Sequence, residues 1–197
     1  MKGTGKWLFL VLPLVVAGCS TKVSRVQSDS TIDLTGRWND ADSRLVAEQM
    51  IGDCLGQRWL YKYDSQNKRP VLIVGTITNR SHEHISTEVF SKDIERALLN
   101  SGKVNFVASK AERVEMRDEK ADQQENASAQ TAKSLHEETG AELMLKGTLN
   151  SIVDQEGGDA VVFYQVNMEL IELESNMKVW IGEKKIKKFV ERAKTRF

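Results

Sequence analysis

The chain reads as a single α/β (α+β) domain, a mixed sheet of about four to five strands with helices packed on it and an antiparallel meander at the end. Three observations predict this. Pro70 precedes Val71-Leu72-Ile73-Val74-Gly75-Thr76-Ile77-Thr78, a dense β-branched run of the kind that fills a buried central strand. Residues from Val89 to Leu98 then place apolar side chains at helical spacing, between a Ser86 or Thr87 cap and Asn100-Ser101-Gly102. The last third alternates apolar and polar residues at 143–150 and 162–170, and a second turn then leads to Lys178 to Glu183 as the third strand.

Ahead of that domain lies a segment of another kind. Lys2 and Lys6 give a basic start, Trp7 to Ala17 is apolar except for Pro13, and Val16-Ala17-Gly18-Cys19 closes it, the three-part layout of a secretory signal. Its apolar stretch of about 11 residues would be roughly 16 Å long as a helix. Crossing a bilayer core takes about 20 residues. Val-Ala-Gly-Cys resembles the lipobox of bacterial lipoproteins, which implies acylation of the Cys19 thiol, cleavage before it and acylation of the new amino terminus. Several acyl chains hold a protein on a bilayer stably where one does not. Ser20 stands in the position that biases sorting in that class, and implies delivery to the outer membrane, facing the periplasm.

Residues 1–18 are therefore expected to be removed, 19–31 to form an acylated cysteine with a short polar tether, and 32–197 to form the domain. The tether, Ser20 to Thr31, lacks periodicity and reaches at most roughly 40 Å. A first helix is expected from an Asp40 or Asp42 cap to about Cys54, carrying Leu45, Val46, Gln49 and Met50 at helical spacing. Strand 71–78 should end in a turn at Asn79-Arg80-Ser81, and the next helix should bury Val89, Phe90, Ile94, Ala97 and Leu98. Val104 to Val107 alternates as a second strand. Residues 109–127 are charged with few apolar positions, a solvated helix or mobile excursion. Ser128 can cap a further helix through Leu135 to Thr139, stopped by Gly140. In the meander, Gln155 to Asp159 reads as a hairpin loop and Ser175-Asn176 as the second turn. The final stretch, Glu183 to Phe197, holds seven basic residues against two acidic ones and reads as a solvated, frayed end. As a helix it would gather Ile186, Phe189, Val190 and Ala193 on one side.

Composition narrows the function classes. Loss of residues 1–18 removes two lysines and no acid, leaving 26 basic against 28 acidic residues. A net charge of about −2 gives no general attraction to nucleic acid. With Cys19 acylated, Cys54 is the one thiol left, so no intramolecular disulfide can form, and a buried helical position suits it. The histidines are His82, His84 and His136, with no HExxH or CxxC pattern, so no metal or cofactor is expected. Gly3-Thr4-Gly5-Lys6 falls in the signal and cannot serve as a phosphate loop. No Gly-x-Ser-x-Gly elbow or placed nucleophile is present, and no catalytic residue is assigned.

Taken together, residues 70–81, the helix end Ile94 to Lys103 before Phe106-Val107, Thr139 to Gly147, and Met168 to Leu173 with Val179 to Glu183 resemble the LpoB family in order and spacing. The resemblance covers roughly residues 35–188. It implies a fold related to the amino-terminal domain of TolB and to CsgG, and no enzymatic activity. It also implies an outer-membrane lipoprotein that activates a class A penicillin-binding protein, the bifunctional peptidoglycan synthase, by docking on it as a monomer. Asn79, Arg80 and Ser81, just past the central strand where open sheets present functional loops and where the family pattern is similar, are the expected partner-binding residues. The alternative is an oligomeric scaffold lipoprotein of CsgG-like type. The chain departs from the family's best-known member, whose linker is long and rich in proline; here tether and domain together span less than about 80 Å.

Overall fold

The computed structural model describes residues 22–191. The chain divides into two units, 1–30 and 31–197. Described residues 22–30 carry one turn and no helix or strand. Cys19 lies outside the described residues.

The second unit opens with an arm, 31–38, that leads into helix α1 (Asp40–Leu55). Its cap is Asn39 rather than an aspartate. The Asn39 side chain accepts from the Asp42 N–H while the Asp42 carboxylate accepts from the Asn39 N–H, a reciprocal box that satisfies two otherwise orphaned donors. A short 3-10 turn (Arg58–Leu60) and a one-turn helix α2 (Tyr61–Asp64) follow. Strand β1 (Val71–Arg80), helix α3 (Thr87–Asn100), the two-residue strand β2 (Asn105–Phe106) and helix α4 (Lys110–Asn126) come next. The chain closes with β3 (Leu143–Glu156), β4 (Asp159–Glu172) and β5 (Lys178–Val190).

The sheet runs β2-β1-β3-β4-β5, parallel across its first three strands and antiparallel across its last three. A mixed sheet of five strands ending in a meander is the predicted architecture. The register slips between Val74 and Ile77, so that both point into the core although two residues, not one, lie between them. Gly75 fits that slip closely, because a Cβ there would lie 2.9 Å from the Met144 sulfur. The inner face (Leu72, Val74, Ile77, Leu145, Leu149, Tyr164, Val166, Met168, Leu170) meets α1 and α3 in one core. Ser86 caps α3 as expected, and Phe90, Ile94 and Leu98 are fully buried. Val89, by contrast, lies off the buried stripe and is half exposed.

Four expectations are corrected. Asn79 and Arg80 belong to β1, which runs two residues into the expected turn because β3 continues beside it, pairing Arg80 with Asn150. The 155–159 loop shrinks to a two-residue turn, since Gly157 and Gly158 both adopt positive φ (60° and 97°) and let β3 and β4 pair out to Glu156 and Asp159. Ser128 opens a single turn and no helix follows. A ten-residue helix without an apolar face to bury is marginal, and the segment instead bonds to α4, with Lys133 N–H on Gln123, Gln124 on the Lys133 carbonyl and Arg117 forked on Glu138. Finally, Glu183 to Val190 is strand, not helix or frayed end, because β4 offers it a full ladder from Asn167 back to Ala160. Residues 192–197 lie outside the described residues.

Candidate partner-binding surface

The three residues expected to bind a partner divide by the direction each faces. Asn79 turns inward from β1. Its Oδ1 accepts from the Ser81 N–H (2.9 Å) and hydroxyl (2.7 Å), and its Nδ2 donates to the Glu83 carbonyl (2.8 Å). Asn79 and Ser81 thus fold the loop that leads to α3. Arg80 points the other way, exposed at the end of the strand, and its side chain has no hydrogen bond or ion pair among the described residues. It borders a shallow polar depression on the outer sheet face with Thr76, Thr78, Lys146, Thr148 and Glu169.

The loop's centre is a residue the sequence reading passed over. Glu83 faces inward between His82 and His84, which both face solvent. Its Oε1 lies 2.6 Å from the Tyr164 hydroxyl, and its Oε2 accepts from the Trp38 N–H at 3.1 Å. Tyr164 is wholly buried, and burial first, then the hydrogen bond to the Glu83 carboxylate, holds its phenol well above the ordinary range. Trp38 packs edge-on to Phe90 (6.1 Å) and Tyr164 (5.5 Å) and donates from Nε1 to Ser43 (2.7 Å). His82 lies 2.6 Å from the Ser151 hydroxyl through Nδ1, a loop-to-strand tie. Among the described residues no group of three or more His, Cys, Asp or Glu could hold a metal ion.

Next to this site the arm is fastened to the last strand. Lys188 Nζ donates to Asp42 (2.6 Å), Asp33 (2.7 Å) and the Arg37 carbonyl (3.2 Å). Burial alone would lower the ammonium's pKa, but the hydrogen bonds to Asp33 and Asp42 and their charges more than offset it, and the value rises. The same bond lowers the Asp33 pKa. Gly36 passes so close to β5 that a Cβ would sit 2.2 Å from a Val190 methyl. Cys54 is buried on α1 as expected, and burial pushes its thiol up to about 12.

The molecule is therefore an α+β domain whose polar groups hold its own segments together, with an outer sheet face left largely to solvent. The family described as peptidoglycan-synthase activator LpoB matches residues 42–186, and the chain belongs to that family. Among solved structures it is similar to the C-terminal domain of LpoB from Escherichia coli, with 20% identity over 74% of this chain and 98% of that one and a TM-score of 0.46. The corresponding domain from Salmonella enterica gives 17%, the same coverages and 0.44. Lipoprotein GNA1162 from Neisseria meningitidis gives 14% identity over 64% of this chain and 88% of that one, with a TM-score of 0.39. No curated protein matches. Among the described residues no helix is long and apolar enough to cross a membrane.

Proposed function

We propose that the mature protein is an outer-membrane lipoprotein, acylated on Cys19 and facing the periplasm, that activates peptidoglycan synthesis by binding a class A penicillin-binding protein. The observation that carries this reading is the family match from α1 to β5, which spans the core cluster from Val46 to Trp180. The protein acts by contact and not by catalysis, and works as a monomer. Arg80, an exposed cation at the end of the central strand, is one contact; Asn79 and Ser81 hold the loop beside it. The test is direct. The core residues run from Ala41 to Trp180, so a soluble form of residues 20–197 keeps all of them. This form should bind a class A synthase from the same organism and raise its glycan polymerisation rate severalfold. Failure to do either sinks the assignment, and a stable ring by light scattering would replace the monomer with the scaffold reading.

A further inference from the structure

The outer face of the sheet carries polar side chains that the fold itself does not use, and the strand register lays them out in rows. Thr78 pairs with Thr148 and Thr148 with Asn167; in the next row Arg80 pairs with Asn150 and Asn150 with Gln165. Neighbours within a row stand about 4.8 Å apart and the rows about 6.6 Å apart, because alternate residues of a strand share a face. Thr76 lies on the same face, two residues before Thr78. Together Thr76, Thr78, Arg80, Lys146, Thr148 and Asn167 line one depression of about 300 Å³. That is the small end of the range for ligand sites.

The charges on this face do not cancel. Glu169, opposite Lys146 in the register, turns instead to Lys178, and Glu183 is held by Lys185 and by the Gln165 amide. The Arg80 guanidinium, the Lys146 ammonium and the hydroxyls of Thr76, Thr78 and Thr148 have no side-chain partner among the described residues. Cations with hydroxyls and an amide between them suit a ligand that is both acidic and rich in hydroxyls. The carboxylates take charge-assisted hydrogen bonds, and the neutral groups take ordinary ones. The same set makes a poor centre for a protein interface, where lysine and acids are depleted and aromatic residues enriched. Among the described residues no aromatic side chain lines the depression, and Ile181 is its one exposed apolar member.

Resting on the cell-envelope location proposed above, we infer that this depression binds a glycan strand of peptidoglycan. Thr78, Thr148 and Asn167 meet sugar hydroxyls and acetamido groups, and Lys146 and Arg80 meet the carboxylates of the stem peptides. The occupant is argued from charge and chemistry: the face offers cations left over after its own acids are paired, and the wall polymer offers carboxylates on a hydroxyl-rich backbone. Arg80, at the end of β1, lies where this face adjoins the synthase contact, whereas Lys146 belongs to the depression alone.

The experiment sediments residues 20–197 with insoluble peptidoglycan freed of bound protein, with the same material after its carboxylates are amidated, and with phosphatidylglycerol vesicles. The double variant Lys146→Gln/Asn167→Ala is run beside the unsubstituted chain. Lys146 is exposed and the Asn167 side chain takes one hydrogen bond, from Gln165, so the variant should stay folded and keep its synthase affinity within twofold. The inference expects the unsubstituted chain to sediment with peptidoglycan in a salt-sensitive manner. The bound fraction should fall at least fivefold on amidation and at least fivefold in the variant. No sedimentation with peptidoglycan, or a smaller fall in either comparison, overturns it. Stronger binding to the vesicles gives the face to lipid headgroups, and loss of synthase affinity in the variant gives it to the synthase; each result overturns the inference as well. A chain that binds peptidoglycan but no synthase removes the proposed activation alone, whereas one that binds the synthase but no peptidoglycan removes only the glycan site.

Discussion

Lys188, near the end of β5, places its ammonium 2.6 Å from the carboxylate of Asp42 in the first turn of α1, 146 residues away in sequence. Both side chains are only 11% exposed. Asp42 also completes the helix cap, so one carboxylate serves two partners with little access to bulk water to replace either.

Lys188→Met should therefore destabilise the domain more than a surface ion pair would. Removing one member of a buried pair leaves the other uncompensated and costs about 3 kcal/mol. For a domain of this size that lowers the melting temperature by roughly 6–12 °C. Calorimetry checks the value, and adding Asp42→Leu to the same chain should recover part of the loss. The pair also sets an alkaline limit. Because the folded Lys188 pKa is raised, its contribution is fully present below the ordinary 10.5 and disappears as pH climbs through the higher folded value.

Tyr164→Phe removes the hydroxyl that meets Glu83 and leaves a part-buried carboxylate with one fewer donor. A loss of about 1–3 kcal/mol is expected by chemical denaturation. Arg80→Ala, in contrast, should stay within about 0.5 kcal/mol of the unsubstituted chain, as substitutions away from any internal contact do. Equal effects at both positions would show that Arg80 belongs to the fold after all.

Acid should release α4 before the core. Lys92 of α3 donates to Glu112 at 2.6 Å, and that bond, with the Ser109 side chain and N–H, lowers the Glu112 pKa from 4.5 to about 2. A depressed carboxyl contributes stability above 4.5 and loses it as pH falls toward 2. No α4 residue is buried, so the helix is held by polar contacts such as this one and the Arg117–Glu138 pair. Exchange rates of amides 110–126 should rise across that window while those of β3 and β4 hold. A Glu112 carboxyl that titrates near 4.5 by NMR would count against the contact.

Gly182→Val should disturb a tryptophan. A Cβ at 182 would sit 2.2 Å from the Trp180 ring, whose Nε1 donates to Asp53 at 2.9 Å. Displacing that ring breaks the strand-to-helix hydrogen bond, and the Trp180 emission should shift to longer wavelength with a loss of about 1–3 kcal/mol.

Cys19→Ala should abolish palmitate labelling and leave the precursor unprocessed in cell fractions. Labelling that survives the substitution would remove the anchor from the proposal.

Much of the fold was legible because its signals are local. Pro70 with the β-branched run, the Ser86 cap with the Phe90, Ile94 and Leu98 stripe, and the alternation from Val162 to Leu170 each fix an element within a few residues of themselves. The same holds for the charged sequence of α4, which reads as solvated and is. What failed depended on neighbours distant in the chain. The segment from Glu183 to Val190 has helical spacing of apolar residues, yet the open edge of β4 draws it into the sheet. The segment after Ser128 has a cap but nothing to pack on. The site divides in the same way. The sequence by itself determined the central strand from Val71 and the basic character of residues 183–197. Only the tertiary structure decided that Asn79 faces in and Arg80 out, that Glu83 receives Trp38 and Tyr164, and that Lys188 is fastened to Asp33 and Asp42. A charge's partner, and hence its role, is set by which strands lie side by side, and β5 reaches the arm only through a register fixed along the whole of β4.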